Sequence, residues 1–136
     1  MARGTTNTKG WTRKLTRTVP KAVKRAAQRE IENQAEITEA AIARRVPVDK
    51  GDLKASLHTE PLEGSERVGV AIVEGGTPQT QTHRGKAGDV AIHVEFGTKD
   101  SPAQPHFWPT ARQRKRPTRN AVNKAIRNAI RDEASR

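Results

Sequence analysis

The sequence predicts an α+β fold: a long N-terminal helix, a small antiparallel sheet of about three strands, and a long C-terminal helix. Three observations predict it. Apolar residues recur every three or four positions over 19–45. They alternate with a period of two in the short runs 68–73 and 90–96, and return to helical spacing over 109–133. No repeat period is visible.

In the first helix, Val23, Ala27, Ile31, Ala35, Thr38 and Ile42 form one stripe. Ala22, Ala26, Ala40 and Ala41 widen it, and Glu30, Glu32, Glu36 and Glu39 take other positions. Pro20 suits the first turn, where a missing N–H costs little. Val46-Pro47 ends the helix, because proline restricts the residue before it. Gly51 then permits a turn, Asp49 or Asp52 is placed to accept backbone N–H bonds, and Leu53 and Leu57 anchor a short helical turn or the start of a strand.

A weak strand is expected over 56–62. Val68, Val70 and Ile72 alternate with Gly69, Ala71 and Val73 in a mostly buried strand. Val90, Ile92, Val94 and Phe96 alternate with Ala91, His93 and Glu95 in another. The polar stretch 75–88 between them reads as a loop, mobile when unbound. Gly97 and the prolines after it shape a tight crossing into the last helix, where Phe107 and Trp108 pin that helix to the sheet. Pro117 predicts a kink or short break, with Thr118 capping the restart. Beyond it run Ala121, Val122, Ala125, Ile126, Ala129 and Ile130 in an apolar stripe.

A length of 136 residues suits one domain, read as 19–134 behind a flexible basic arm at 1–18. The hydrophobic fraction is 32%, low for a compact monomer. Disordered ends or a core completed by neighbouring subunits would account for it. The absence of cysteine excludes disulfides and thiolate chemistry. No apolar run reaches membrane-spanning length, so no membrane partner is expected. The formal charge of +11 calls for an anionic partner, either nucleic acid or an acidic protein surface. The candidate contacts are Arg3, Lys9, Arg13, Lys14 and Arg17 on the arm, and Arg112, Arg114, Lys115, Arg116 and Arg119 on the last helix. Trp11 and Trp108 are candidate interface anchors, though a contact of Trp11 with its own domain fits equally.

Nothing in the sequence points to an enzyme. His58, His83, His93 and His106 lack metal-ligand spacing, and no cofactor motif is present: Gly85, Lys86 and Gly88 fall outside a GxxxxGK[ST] run. His93 and Glu95 would share a face of a strand, a pair that suits solvation better than acid–base work.

Two stretches carry a family resemblance. The first contains Pro47, Asp49, Gly51, Leu53 and Ser56. The second contains Glu95, Gly97 and Thr98, then Pro105, Phe107, Pro109 and Ala111, with His106 inserted. In order and setting they resemble the HK97 gp10-like family of tailed-phage neck and tail-completion proteins. The resemblance implies a scaffold role for these residues and no catalytic one. It implies a virion protein made in the host cytoplasm and placed at the head–tail junction. There it would form a hexameric or dodecameric ring of its own copies against neck, head-closure, tail-terminator or tail-tube proteins, near packaged double-stranded DNA.

Overall fold

A computed structural model of the chain describes residues 8–64, 68–82 and 88–136, with the side chains of residues 8, 9 and 11 outside that description. Helix α1 (Thr8–Arg13) runs through a π-helical turn (Lys14–Thr18) into α2 (Val19–Ala43). The described part of the segment read as a flexible basic arm is helix from Thr8 onward. Val19-Pro20 does not break it, because proline at the start of α2 forgoes an N–H that only the wider π turn would have used.

Short helix α3 (Asp52–Ser56) follows, then strands β1 (His58–Pro61) and β2 (Val70–Val73), short helix α4 (Val90–Phe96) and long helix α5 (Phe107–Ala134). The two strands pair antiparallel, with His58 opposite Val73 and Pro61 opposite Val70. The Leu62 N–H donates to the Gly69 carbonyl one step beyond. Thus the α+β class and the two long helices are present, and the sheet has two strands rather than three. All four residues of β2 are half-buried, less than the mostly buried strand expected.

The missing strand is α4, and its burial shows why a period of two misled. A strand would put Val90, Ile92, Val94 and Phe96 on one face. Instead Val90, Ala91 and Val94 pack on the core, while Ile92 and Phe96 are 57% and 67% exposed. That is helical spacing. Asp89 starts the helix, its Oδ1 accepting from the Ala91 N–H at 2.9 Å. A seven-residue apolar run does not distinguish the two periods, and the cap decides.

Ile42, Val46, Leu53 and Leu57 form the buried apolar cluster, at the corner where α2 ends and α3 begins. Gly51 makes the turn between them at φ +81°, a left-handed conformation that costs glycine little. It occupies the cap position of α3, and no side chain caps that helix. Asp49 and Asp52 therefore do not cap the turn and are both exposed. The helices α2 and α5 pack along one another. Arg45 bridges them, one guanidinium nitrogen donating to Thr110 Oγ1 and Gln113 Oε1, both at 3.0 Å. Helix α5 passes through Pro117 unbroken, with no restart at Thr118. Pro117 is exposed, so the carbonyl it leaves without an N–H partner one turn earlier lies on the solvent side of the helix.

Because so few residues form the apolar cluster, each one matters. Ile42→Ala is expected to cost about 2–5 kcal/mol. Ile130→Ala, on the exposed side of α5, is expected to stay within about 0.5 kcal/mol. Urea unfolding followed by circular dichroism compares the two, and equal losses would contradict this placement of the core.

Candidate functional site

The start of α5 is held by a network of hydrogen bonds from α4 and the end of β2. Its sequence, Pro105-His106-Phe107-Trp108-Pro109, offers no Ser, Thr, Asp or Asn at the cap position. The cap comes instead from Glu95 on α4. Its Oε2 accepts from the N–H groups of His106 (2.9 Å) and Phe107 (3.0 Å), and its Oε1 accepts from Trp108 N–H (3.0 Å). The next residue, Pro109, has no N–H. All four backbone positions that a helix start leaves without partners are thus accounted for by one carboxylate and one proline. The positive end of the α5 dipole meets a full negative charge.

The loop before α5 makes this reach feasible. Gly97 ends α4 at φ +77°, with its N–H on the His93 carbonyl at 2.8 Å. A Cβ there would lie 2.7 Å from the Ala103 nitrogen, so only glycine lets the chain fold back this tightly. Thr98 Oγ1 accepts from Ser101 N–H, and Gln104 N–H donates to the Val94 carbonyl at 2.7 Å. His106 arrives beside Glu95.

The His106 ring donates from Nε2 to Glu74 (2.8 Å) and from Nδ1 to the Gln104 carbonyl (3.0 Å), with Glu95 Oε2 at 3.4 Å from Nδ1. The three side chains are only 2%, 4% and 6% exposed for His106, Glu74 and Glu95. Burial opposes charging of His106. The bond to the Gln104 carbonyl, the bond and charge of Glu74, and the charge of Glu95 outweigh it, so the imidazole pKa lies above its ordinary value. Burial pushes the Glu74 carboxyl up, partly offset by His106. For Glu95 burial is outweighed by the three N–H bonds and by His106, and the carboxyl lies below its usual range.

The motif of the first stretch joins the same network. Ser56 Oγ donates to the Leu53 carbonyl at 2.6 Å and accepts from Gly75 N–H at 2.8 Å. Gly75 is adjacent to Glu74, which holds His106. Asp89 accepts from Gly76 N–H at 2.7 Å and from the buried Thr80 hydroxyl at 2.9 Å, tying the end of β2 to α4. Burial there too is outweighed by these bonds, and the Asp89 carboxyl lies below its usual range.

Of the motif residues, then, Gly51, Leu53, Ser56, Glu95, Gly97, Thr98, Phe107 and Pro109 make structural contacts at one corner. Asp49 and Pro105 are exposed, and Pro47 and Ala111 are half-buried. His93 and Glu95 do not share a face, being two apart on a helix. Glu95 points into the buried network, and His93 borders an open cleft of about 920 Å³. The sequence analysis missed Glu74, Asp89 and the role of His106. A signal existed: a helix start without a capping residue of its own needs an acceptor from elsewhere.

On the surface, Arg112, Lys115, Arg116 and Arg119 are exposed, and Arg114 is half-buried. Arg114 reaches Gln34 on α2 at 2.7 Å, while its Nε has no partner. A groove of about 650 Å³ runs between α2 and α5, with Val70 and Ile72 of β2 at one side. Trp108 is half-exposed at its end and meets Phe107 edge to face at 5.4 Å. Phe107 packs on the core as expected, and Trp108 only in part. Arg13 and Arg17 are exposed on the N-terminal helical stretch, with Lys14 half-buried. Arg3, His83, Gly85 and Lys86, and the side chains of Lys9 and Trp11, lie outside the described residues. Among the described residues no three His, Asp or Glu side chains are arranged to hold a metal ion, and no helix is long and apolar enough to cross a membrane. Comparison with family models, curated proteins and solved structures gives no match.

Glu95→Ala leaves three N–H groups without their acceptor and removes one of the two carboxylates beside the buried imidazolium, and is expected to cost about 3–5 kcal/mol in urea unfolding. The pH dependence has two limbs. His106, with a raised pKa, contributes fully below its ordinary value near 6.5 and loses that contribution as pH rises through its folded pKa. Glu74, also raised, acts in the same direction, its charging opposing the fold as pH climbs from near 4.5. Glu95 and Asp89, both lowered, contribute above their ordinary values and lose it as pH falls through their folded ones. Stability should therefore peak at mildly acidic pH. His106→Gln should flatten the decline that sets in as pH rises above about 6.5. An unchanged alkaline limb would contradict the assignment.

Proposed function

We propose that the chain is a structural subunit of the head–tail connection of a tailed phage, forming part of a neck or tail-completion ring and carrying no catalytic activity. The observation that carries this reading is the imbalance of apolar burial. Among the described residues eight large apolar side chains, including Leu15, Val48, Leu62, Ile92, Phe96 and Trp108, are exposed, against four in the apolar cluster. A monomer gains nothing from that arrangement, whereas a subunit buries such surface on assembly. Each strand of the two-stranded sheet also keeps one outer edge without a strand partner among the described residues, which invites pairing or cover. The motif resemblance supplies the setting. The buried side chains of His106, Glu74 and Glu95 are engaged in holding the start of α5, which supports a scaffold role.

Nonspecific nucleic-acid binding is the second reading, favoured by the exposed row Arg112, Lys115, Arg116 and Arg119, none of which has an acidic partner among the described residues. It predicts salt-dependent binding to duplex DNA whose slope falls by about one for each phosphate contact removed.

In a phage encoding this chain, its loss is expected to leave DNA-filled heads and free tails unjoined. Electron microscopy of particles carrying a tagged copy should place the tag at the head–tail junction. Joined, infectious particles lacking the chain would overturn the neck reading.

A further inference from the structure

The groove between α2 and α5 combines two chemistries. Its floor is apolar, with Ile31, Ala35, Ile72 and Val122. Its rim carries Arg112, Lys115 and Arg119, exposed and without a carboxylate partner among the described residues. A phosphate backbone answers the rim and leaves the floor wet. A helix with carboxylates along one edge of its exposed face and an apolar side chain toward the other answers both.

This chain presents such a helix. The outward side of α2 exposes Glu32 and Glu36, one turn apart along one edge, with Ala40 a turn further on and Ile37 one turn before Ala40 toward the other edge. Glu32 accepts a bond from Gln28 at 2.6 Å, and neither carboxylate has a cationic partner among the described residues. Ile37 is an exposed large apolar residue in the middle of a well-formed helix. Ala40 leaves room for close approach. Copies carrying +11 each repel one another at long range, so any contact between them must pair opposite charges locally.

We infer that the groove of one copy receives the outward face of α2 from a second copy, with Glu32 and Glu36 meeting Arg112, Lys115 and Arg119 and Ile37 entering the apolar floor. The inner side of α2 walls the groove and its outer side fills the neighbour's. The contact is therefore heterologous, the kind that closes a ring or extends a filament. Arg29, exposed on α2, and Arg44, exposed just past its end, lie to either side of the acidic pair and fix the register: a slide along the groove carries one of them into the cationic rim. The inference rests on the ring reading above and names the surfaces that would build it.

Charge reversal tests it with the full chain. The groove variant is Arg112→Glu with Arg119→Glu. The helix variant is Glu32→Lys with Glu36→Lys. Both change exposed residues, and circular dichroism checks their folding. Sedimentation velocity over a concentration series is expected to show self-association of the unaltered chain. Each variant alone should associate at least about tenfold more weakly. An equimolar mixture should recover association, because each variant's groove then matches the other's helix. Ile37→Ser, which changes no charge, should also weaken association, and it decides the matter if a reversal variant fails to fold.

Undiminished association in both reversal variants or in Ile37→Ser overturns the contact, as does failure of the mixture to recover. A chain that stays monomeric at every concentration overturns it too. A duplex DNA probe supplies a further outcome: binding abolished in the groove variant while self-association persists assigns the groove to nucleic acid. The neck reading stands or falls separately, on where the tagged chain lies in the particle.

Discussion

A helix that begins without a capping residue must find an acceptor elsewhere, and in this protein that acceptor is Glu95. Its carboxylate takes three N–H groups at the start of α5, and Pro109 removes the need for a fourth. The placement of the first turn of α5 depends on this bond set. Asp89 must start α4 so that Glu95 is presented at its last turn. Gly97 must reverse the chain sharply enough to bring His106 back to it. His106 then carries a proton between two buried carboxylates, and Glu74 ties the arrangement to the end of β2. Buried ion pairs often contribute little net stability. Here the group is valuable for specificity, because the start of a 28-residue helix has one place to go.

A polar anchor of this kind suits a chain with little apolar material. Ile42, Val46, Leu53 and Leu57 form a small cluster at one corner, and the long helices extend from it with many exposed residues. Side-chain bridges such as Arg45 to Thr110 and Arg114 to Gln34 tie α2 and the turn after it to the first turns of α5. A domain built this way fixes its geometry by directional bonds and leaves apolar surface for neighbours. That division is the physical content of a scaffold that finishes its core on assembly.

The long helices and the first strand pair were legible in the sequence, because length and periodicity over many residues leave little ambiguity. The run 90–96 was not. Its alternation of Val, Ile, Val and Phe fits a strand, and seven residues are too few for a helical period to show. The deciding signal was one residue earlier, at Asp89, whose side chain reaches the Ala91 N–H. The network at the α5 start was legible only in part. Glu95 and Gly97 stood out as motif residues, but the meeting of Glu74, Glu95 and His106 depends on a fold-back of ten residues and a strand end more than thirty residues from His106. No local pattern encodes that. The basic row on α5 was plain from sequence, whereas the apolar floor beside it required the packing of α2, β2 and α5.

The carboxyl resonance of Glu95, followed by NMR across an acid titration, tests the central claim most directly. A carboxylate held by three backbone N–H groups and an imidazolium is predicted to titrate below the range of ordinary glutamates, with the amide signals of His106, Phe107 and Trp108 shifting in the same step. Titration at an ordinary value, with those amides unmoved, would show that Glu95 does not hold the helix and would contradict the account.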